Sequence, residues 1–153
     1  MKDAVIVSGA RTAMGKGRKG TLRTVRPDDL GACVIREAVT RAAGLNPAEV
    51  EDVLLGCAIP EQEQGMNVAR IATLKAELPV TTSAATINRF CSSGLQTISQ
   101  AFDQIRCGHS DVVVAGGVES MSRVAMFQRT YANPGFANDW HEVYIGMGLT
   151  EEN

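Results

Sequence analysis

The sequence predicts an α/β fold, a mostly parallel sheet flanked by helices. Three observations carry this expectation. Four short apolar runs with strand character, at residues 4–8, 53–59, 84–88 and 111–115, alternate with three segments whose apolar residues recur at helical spacing. Caps and breakers separate them, at Pro27, Gly44, Asn67, Pro79, Gly108 and Gly116-Gly117. The resulting order, β-α-β-α-β-α-β, is that of parallel strands joined by helical crossovers, which cover both faces of the sheet. At 153 residues the chain is long enough to bury one sizeable core.

Residues 4–8 read Ala-Val-Ile-Val-Ser and form the first strand-like run. They follow Met1-Lys2-Asp3 directly, without the pattern of a secretory signal. Residues 9–27 are a loop rich in Gly, Lys and Arg. Pro27-Asp28-Asp29 reads as a helix start, because the first turn leaves N–H groups unpaired and favours negative charge. Leu30, Val34, Ala38, Val39 and Ala42 give that helix an apolar stripe, and Gly44 ends it. Asn46, with Glu49 three residues on, has the form of a capping box. The second strand-like run, 53–59, contains Cys57. Asn67 then caps a helix with Val68, Ile71 and Ala72 inward, ended near Pro79. After the third strand-like run, Leu95, Ile98, Phe102 and Ile105 mark one apolar face of a third helix. Gly108 closes it, and the Val-rich run 111–115 follows. Beyond residue 120 periodicity is weak. Asn133-Pro134-Gly135 and Ala137-Asn138-Asp139 are turn clusters, so 121–153 reads as a long excursion separate from the unit at 1–120.

Composition excludes several classes. The formal net charge of −2 offers no basic footprint for nucleic acid. No run of 18 or more apolar residues is present, so no membrane span is expected. The four cysteines, at 33, 57, 91 and 107, are widely and irregularly spaced, which argues against a zinc site, and no metal is expected. A core of this size does not need disulfides, so reduced thiols in a cytoplasmic setting are expected. Cys33, Cys57 and Cys107 read as packing residues.

Cys91 stands apart. It lies in Asn88-Arg89-Phe90-Cys91-Ser92-Ser93-Gly94-Leu95-Gln96, where a strand turns into a helix. Unpaired N–H groups and the positive end of the helix dipole meet there. Both favour a thiolate, which is the nucleophilic form, and the same N–H groups could hold an oxyanion. A free cysteine is also among the most buried residue types, acting as a small hydrophobe. The small neighbours Ser92, Ser93 and Gly94 leave room for a ligand, but on chemistry alone both readings stay open.

The run around Cys91 resembles the nucleophile motif of the thiolases, acyl-CoA acyltransferases that cleave or form 3-oxoacyl-CoA thioesters. Other segments resemble the same family in the same order. They are Ser8-Gly9-Ala10-Arg11-Thr12 with Gly15-Lys16 and Gly20-Thr21-Leu22, the run from Glu61 to Arg70, Gly116-Gly117-Val118-Glu119-Ser120-Met121-Ser122, and Met147-Gly148-Leu149-Thr150-Glu151-Glu152-Asn153. Two positions depart from the family pattern: Ala13 stands where proline is frequent, and Glu151 where alanine is usual.

The resemblance implies a thiolase-like layered fold, of which this chain holds the N-terminal half-domain at 1–120 and the start of the loop domain at 121–153. It covers well under half of a family member. A fifth, antiparallel strand, which lies inside the sheet beside the first, and the whole second half come from beyond Asn153. That second half supplies a histidine that activates the nucleophile and a second cysteine that acts as acid and base. An open slot in the sheet would expose unpaired backbone groups, so either the remainder of the protein or a partner strand is expected there.

By resemblance, Cys91 attacks the 3-keto carbonyl and carries the acyl group as a thioester. Acyl-CoA and CoA are the partners, with no further cofactor. Ser92, Ser93 and Gln96 resemble the degradative members of fatty acid β-oxidation, and a homodimer or homotetramer is implied for the full-length enzyme. Met147 matches a family position near bound substrate, where a soft apolar side chain suits an acyl or pantetheine channel. A surface methionine in a flexible tail is the plain alternative. Arg11, Lys16, Arg18, Lys19, Arg23 and Arg26 are either a solvated loop or a patch for the CoA phosphates.

Of the two histidines, His109 lies at the far end of the helix that Cys91 opens, roughly 27 Å away at 1.5 Å per residue. It reads as a C-terminal helix cap, and His141 as a surface residue. Two other classes compete with the enzyme reading. One is a non-catalytic acyl-CoA-binding or assembly subunit that needs a second chain, which fits the missing acid and base. The other is a condensing enzyme acting on acyl carrier protein, which the Cys91 and Arg11-Thr12 motifs disfavour.

Overall fold

The structure, a computed structural model, describes residues 3–124 and 132–152. Three parallel strands form its sheet: β1 (Asp52–Gly56), β2 (Ser83–Ile87) and β3 (Val113–Gly117), in the order β2-β1-β3. Asp52 pairs with Ser83 on one side and Val113 on the other, and Gly56 with Ile87 and Gly117, so the carboxyl ends of all three strands are level. Helices α1 (Pro27–Arg41) and α2 (Val68–Lys75) pack on one face and α3 (Ser93–Cys107) on the other. The α/β fold with a parallel sheet between helices is therefore the one expected.

Alternation along β1 decides which residues meet which helix. Val53 and Leu55 turn towards α1 and α2. Leu55 lies where a methyl on Gly31 of α1 would touch it, at 3.6 Å, and the same methyl would be 3.0 Å from Ala72 of α2. This face holds the core of Ala32, Ile35, Val39, Val53, Leu55, Cys57, Val68, Ala69 and Ala72. Each fully buried large aliphatic contributes about 1.5–3 kcal/mol, so the α1–α2 side carries most of the apolar stabilisation. Asp52 and Gly56 turn towards α3: Gln104 Nε2 donates to Asp52 Oδ2 at 3.2 Å, and the start of α3 rests on Gly56.

The local signals hold where they act over a few residues. α1 begins at Pro27. Asn46 Oδ1 accepts from the Ala48 N–H at 3.0 Å, and Glu49 Oε2 accepts from the Asn46 N–H at 2.8 Å, as the capping box requires. Asn67 caps α2, and Gly108 ends α3 in the left-handed conformation at φ 75°.

Several expectations are corrected. The apolar stripe of α1 is rotated: Gly31, Ala32, Ile35 and Val39 are buried, while Leu30, Val34 and Ala38 are half-buried. Cys33 and Cys107 are exposed rather than packed; only Cys57 is a core residue, 1% exposed and just beyond the end of β1. Ile71 of α2 faces outward, 41% exposed. Most of all, α3 is seated the other way round. Its buried residues are the small ones, Ser93, Thr97 and Ala101. The stripe of Leu95, Ile98 and Phe102 is exposed, Leu95 by 71%. Glycines on the strands admit the small face closely, whereas the large side chains would hold the helix off.

The first strand-like run does not join the sheet. Val5, Ile6 and Val7 are exposed, Ile6 by 86%, in a segment without strand pairing. It is tied only at its ends among the contacts described: Ser8 Oγ donates to Ala38 O at 2.6 Å, Arg41 Nη1 to Gly9 O at 3.2 Å, and Arg106 Nη1 lies 3.0 Å from Asp3 Oδ1. A strand forms only beside a neighbour whose N–H and C=O groups match its own. The outer edge of β3 carries no strand partner among the described residues. Within 132–152 lie α4 (Pro134–Asp139), a 3-10 turn at His141–Tyr144 and α5 (Met147–Glu151), none with a buried residue.

Candidate active site

Cys91 lies four residues beyond the end of β2 and two before the start of α3, at the carboxyl end of the sheet. Ligands collect at that end in parallel α/β sheets. Helix α3 begins at Ser93 rather than at Cys91, so the cysteine stands in the turn with its side chain exposed. The turn is closed by the Ser92 N–H donating to Arg89 O and the Ser93 N–H to Phe90 O, both at 3.0 Å. Asn88 Oδ1 accepts from the Phe90 N–H at 2.9 Å. Phe90 takes φ 45°, a left-handed conformation unusual for a bulky residue. The chain reverses sharply enough there to leave Cys91 at the surface.

Two loops flank this turn at the same end of the sheet. Gln64, fully buried, joins them: its Nε2 donates to Ile59 O at 2.7 Å and Glu119 Oε1 at 2.5 Å, and its Oε1 accepts from the Ser120 N–H at 2.6 Å. Glu119 Oε2 accepts from the Ala58 N–H at 2.7 Å. The loop after β1 is thereby bound to the loop after β3. Arg123 reinforces the link with a two-pronged contact to Glu63, which holds that carboxyl below the usual carboxylate range. Neither Gln64 nor Glu119 was singled out from sequence. Both sit in segments that carry the resemblance, but only tertiary pairing of residues 55 positions apart shows their work.

The remaining candidates are placed as follows. Met147 opens α5, 73% exposed. The basic residues at 11, 16, 18, 19, 23 and 26 are exposed. Arg26 is engaged with Asp28 at 2.9 Å and Glu63 at 3.4 Å. His109 follows the α3 cap, its backbone N–H donating to Gln104 O at 2.9 Å, at the end of α3 opposite Cys91. His141 lies 3.6 Å from Glu142, its side chain 72% exposed. Neither histidine is brought to Cys91 by a described contact. Among the described residues no group of three or more His, Cys, Asp or Glu could hold a metal ion, and no helix is long and apolar enough to cross a membrane.

The four thiols are expected to separate on labelling. Burial, with Glu119 adding to it, pushes Cys57 from its ordinary 9.0 up to about 12. A haloacetamide at neutral pH should modify Cys91 first, then the exposed Cys33 and Cys107, and leave Cys57 intact in the folded chain. Peptide mapping reads the order; Cys91 lagging behind Cys33 and Cys107 would remove the case for helix-start activation. Between pH 9 and 12 the folded state holds a proton at Cys57 that the unfolded state releases, so this contribution to stability falls as pH rises through that window.

Residues 4–152 match the family model described as thiolase, N-terminal domain. The chain is 51% identical over 153 residues to a 3-ketoacyl-CoA thiolase of Bacillus subtilis (strain 168), covering 99% of this chain and 39% of that protein. A 3-ketoacyl-CoA thiolase of Saccharophagus degradans is 42% identical over 151 residues, with the same coverage. Among solved structures, the Bacillus anthracis acetyl-CoA acetyltransferase superposes with a TM-score of 0.74 at 41% identity, covering 84% of this chain and 34% of that one. The chain thus spans 39% of the length of the curated relatives it matches.

Proposed function

The chain belongs to the thiolase family, and on that premise we propose that it carries the nucleophile of a 3-oxoacyl-CoA thiolase. The observation that supports this most is Cys91 itself, exposed on a sharp turn at the carboxyl end of the sheet, within a chain that the N-terminal domain matches from residue 4 to 152. In the proposed reaction the Cys91 thiolate adds to the C3 carbonyl of a 3-oxoacyl-CoA. The bond between C2 and C3 breaks, and its electrons leave with the acetyl-CoA carbanion, which takes up a proton. The acyl group stays on Cys91 as a thioester. The thiol of a second CoA gives up its proton, attacks that thioester and departs as acyl-CoA, restoring the Cys91 thiolate. Each step is reversible.

The proposed setting is fatty acid β-oxidation in the cytoplasm, with acyl-CoA and CoA as partners and a homodimer or homotetramer for the full-length enzyme. We assign residues 1–120 to the catalytic half-domain and 121–153 to the start of the loop domain. The deciding experiment combines the chain with a half that supplies acid and base, then quenches turnover of a 3-oxoacyl-CoA with acid. Peptide mapping should find the acyl group on the Cys91 peptide; an acyl group on any other residue would overturn the assignment. One observation favours the second reading, an acyl-CoA-binding subunit: no described contact brings a base to Cys91 within the chain. Saturable CoA binding without acylation, even after completion, would establish that reading instead.

Met147 is proposed to line the acyl or pantetheine channel, since its exposed side chain is free to meet a ligand. In the completed assembly Met147→Ala should raise KM for the thioester about five- to tenfold, the range of one lost apolar contact of about 1–1.4 kcal/mol. Steady-state kinetics over several chain lengths checks this; an unchanged KM and unchanged length preference leave a surface methionine.

A further inference from the structure

We propose that Ser93 is the positioning residue for the Cys91 thiol, its hydroxyl clamping the backbone on both sides of the Arg89–Phe90 peptide so that the turn presents Cys91 outside the helix. The inference rests on the reading of Cys91 as the nucleophile. Ser93 is the first residue of α3 and is 4% exposed. Its Oγ donates to Phe90 O at 2.6 Å and accepts from the Arg89 N–H at 2.9 Å. One buried hydroxyl therefore satisfies two backbone groups immediately before Cys91.

That clamp has something to restrain. Phe90 at φ 45° is in a conformation that L-residues avoid, and such a conformation persists only where its surroundings over-determine it. Ser93 can serve because it is itself fixed from below. A methyl on Gly56 would lie 2.5 Å from Ser93 C and 2.7 Å from both Ser93 O and Gly94 N. The first turn of α3 thus rests directly on the last residue of β1. Thr97, one turn further on and fully buried, donates from Oγ1 to Gly116 O at 2.9 Å and ties the same helix to β3. Support runs from the sheet through Ser93 to Phe90, and from there to Cys91. Ser92, nearer to Cys91 in sequence, makes no side-chain capping bond and offers no alternative.

The test uses Ser93→Ala, with Ser93→Thr keeping the hydroxyl and Ser92→Ala as control. In the chain itself, NMR carbon shifts of Phe90 report its left-handed backbone. Ser93→Ala should move them out of that pattern while residues 97–107 stay helical; Ser93→Thr and Ser92→Ala should leave them in place. In the completed assembly, Ser93→Ala should lower kcat for a 3-oxoacyl-CoA about tenfold to a hundredfold, the scale of a misplaced reacting group, with KM unchanged within about twofold. A role confined to helix stability would lower the melting temperature and leave both the Phe90 shifts and kcat alone, and that result overturns the proposal. Should Ser93→Ala not fold, it is made in a Phe90→Gly background, where glycine tolerates the positive φ. The loss relative to Phe90→Gly alone should then be small; a loss of tenfold or more there also overturns the proposal. An assembly still active as Cys91→Ser would refute the nucleophile reading, whereas an inactive Cys91→Ser beside a fully active Ser93→Ala refutes only the positioning role.

Discussion

Cys91→Ser should abolish acyl transfer in the completed assembly, lowering kcat by on the order of a thousandfold or more, as loss of a covalent nucleophile does elsewhere. The change replaces one sulfur atom by oxygen and should leave the fold alone, because the side chain is exposed and belongs to no buried cluster. A serine hydroxyl stays protonated where a thiol ionises, and the turn offers it no base: the described hydrogen bonds there run between Asn88, Arg89, Phe90, Ser92 and Ser93. Cys33→Ser and Cys107→Ser, at positions that are also exposed, should leave turnover within about twofold. The measurement is thiolysis of a 3-oxoacyl-CoA by added CoA, with circular dichroism to show that the fold is kept. Turnover within tenfold of the parent would mean that the chemistry lies elsewhere.

The second large effect is a complete one: the 153-residue chain by itself should show no thiolysis of acetoacetyl-CoA, and activity should appear when the C-terminal half is restored. A nucleophilic thiol needs a base within about 2.6–3.2 Å, and the departing carbanion needs an acid. Helix α3, of 15 residues, is roughly 22 Å long and places His109 and Cys107 at its other end. Glu119, at the same end of the sheet as Cys91, is committed through both oxygens, to Gln64 and to the Ala58 N–H. His141 lies beside Glu142 and is exposed. A preparation shown homogeneous by intact mass that nonetheless turned over the thioester would point to His141 as the base.

What could be read from residues alone has short range. The helix start at Pro27, the Asn46–Glu49 box, the Asn67 cap and the Gly108 stop each depend on groups within about four positions. So does the placing of Cys91 between a strand and a helix, and alternation of such elements suffices for the parallel sheet. What only the tertiary structure decided involves groups far apart in the chain. Periodicity found an apolar stripe on α3 but could not say which side meets the sheet. The choice fell to clearance, since Gly56 and Gly117 let the small residues of α3 approach within backbone contact. Cys33 and Cys107 came out exposed for the same kind of reason, because burial depends on what stands opposite. Residues 4–8 have the composition of a strand but no neighbour to pair with among the described residues, and a strand is a property of two segments, not one. The clamp of Ser93 on the Cys91 turn and the Gln64–Glu119 tie were invisible until the fold set the first turn of α3 on Gly56 of β1 and brought residues 55 positions apart to 2.5 Å.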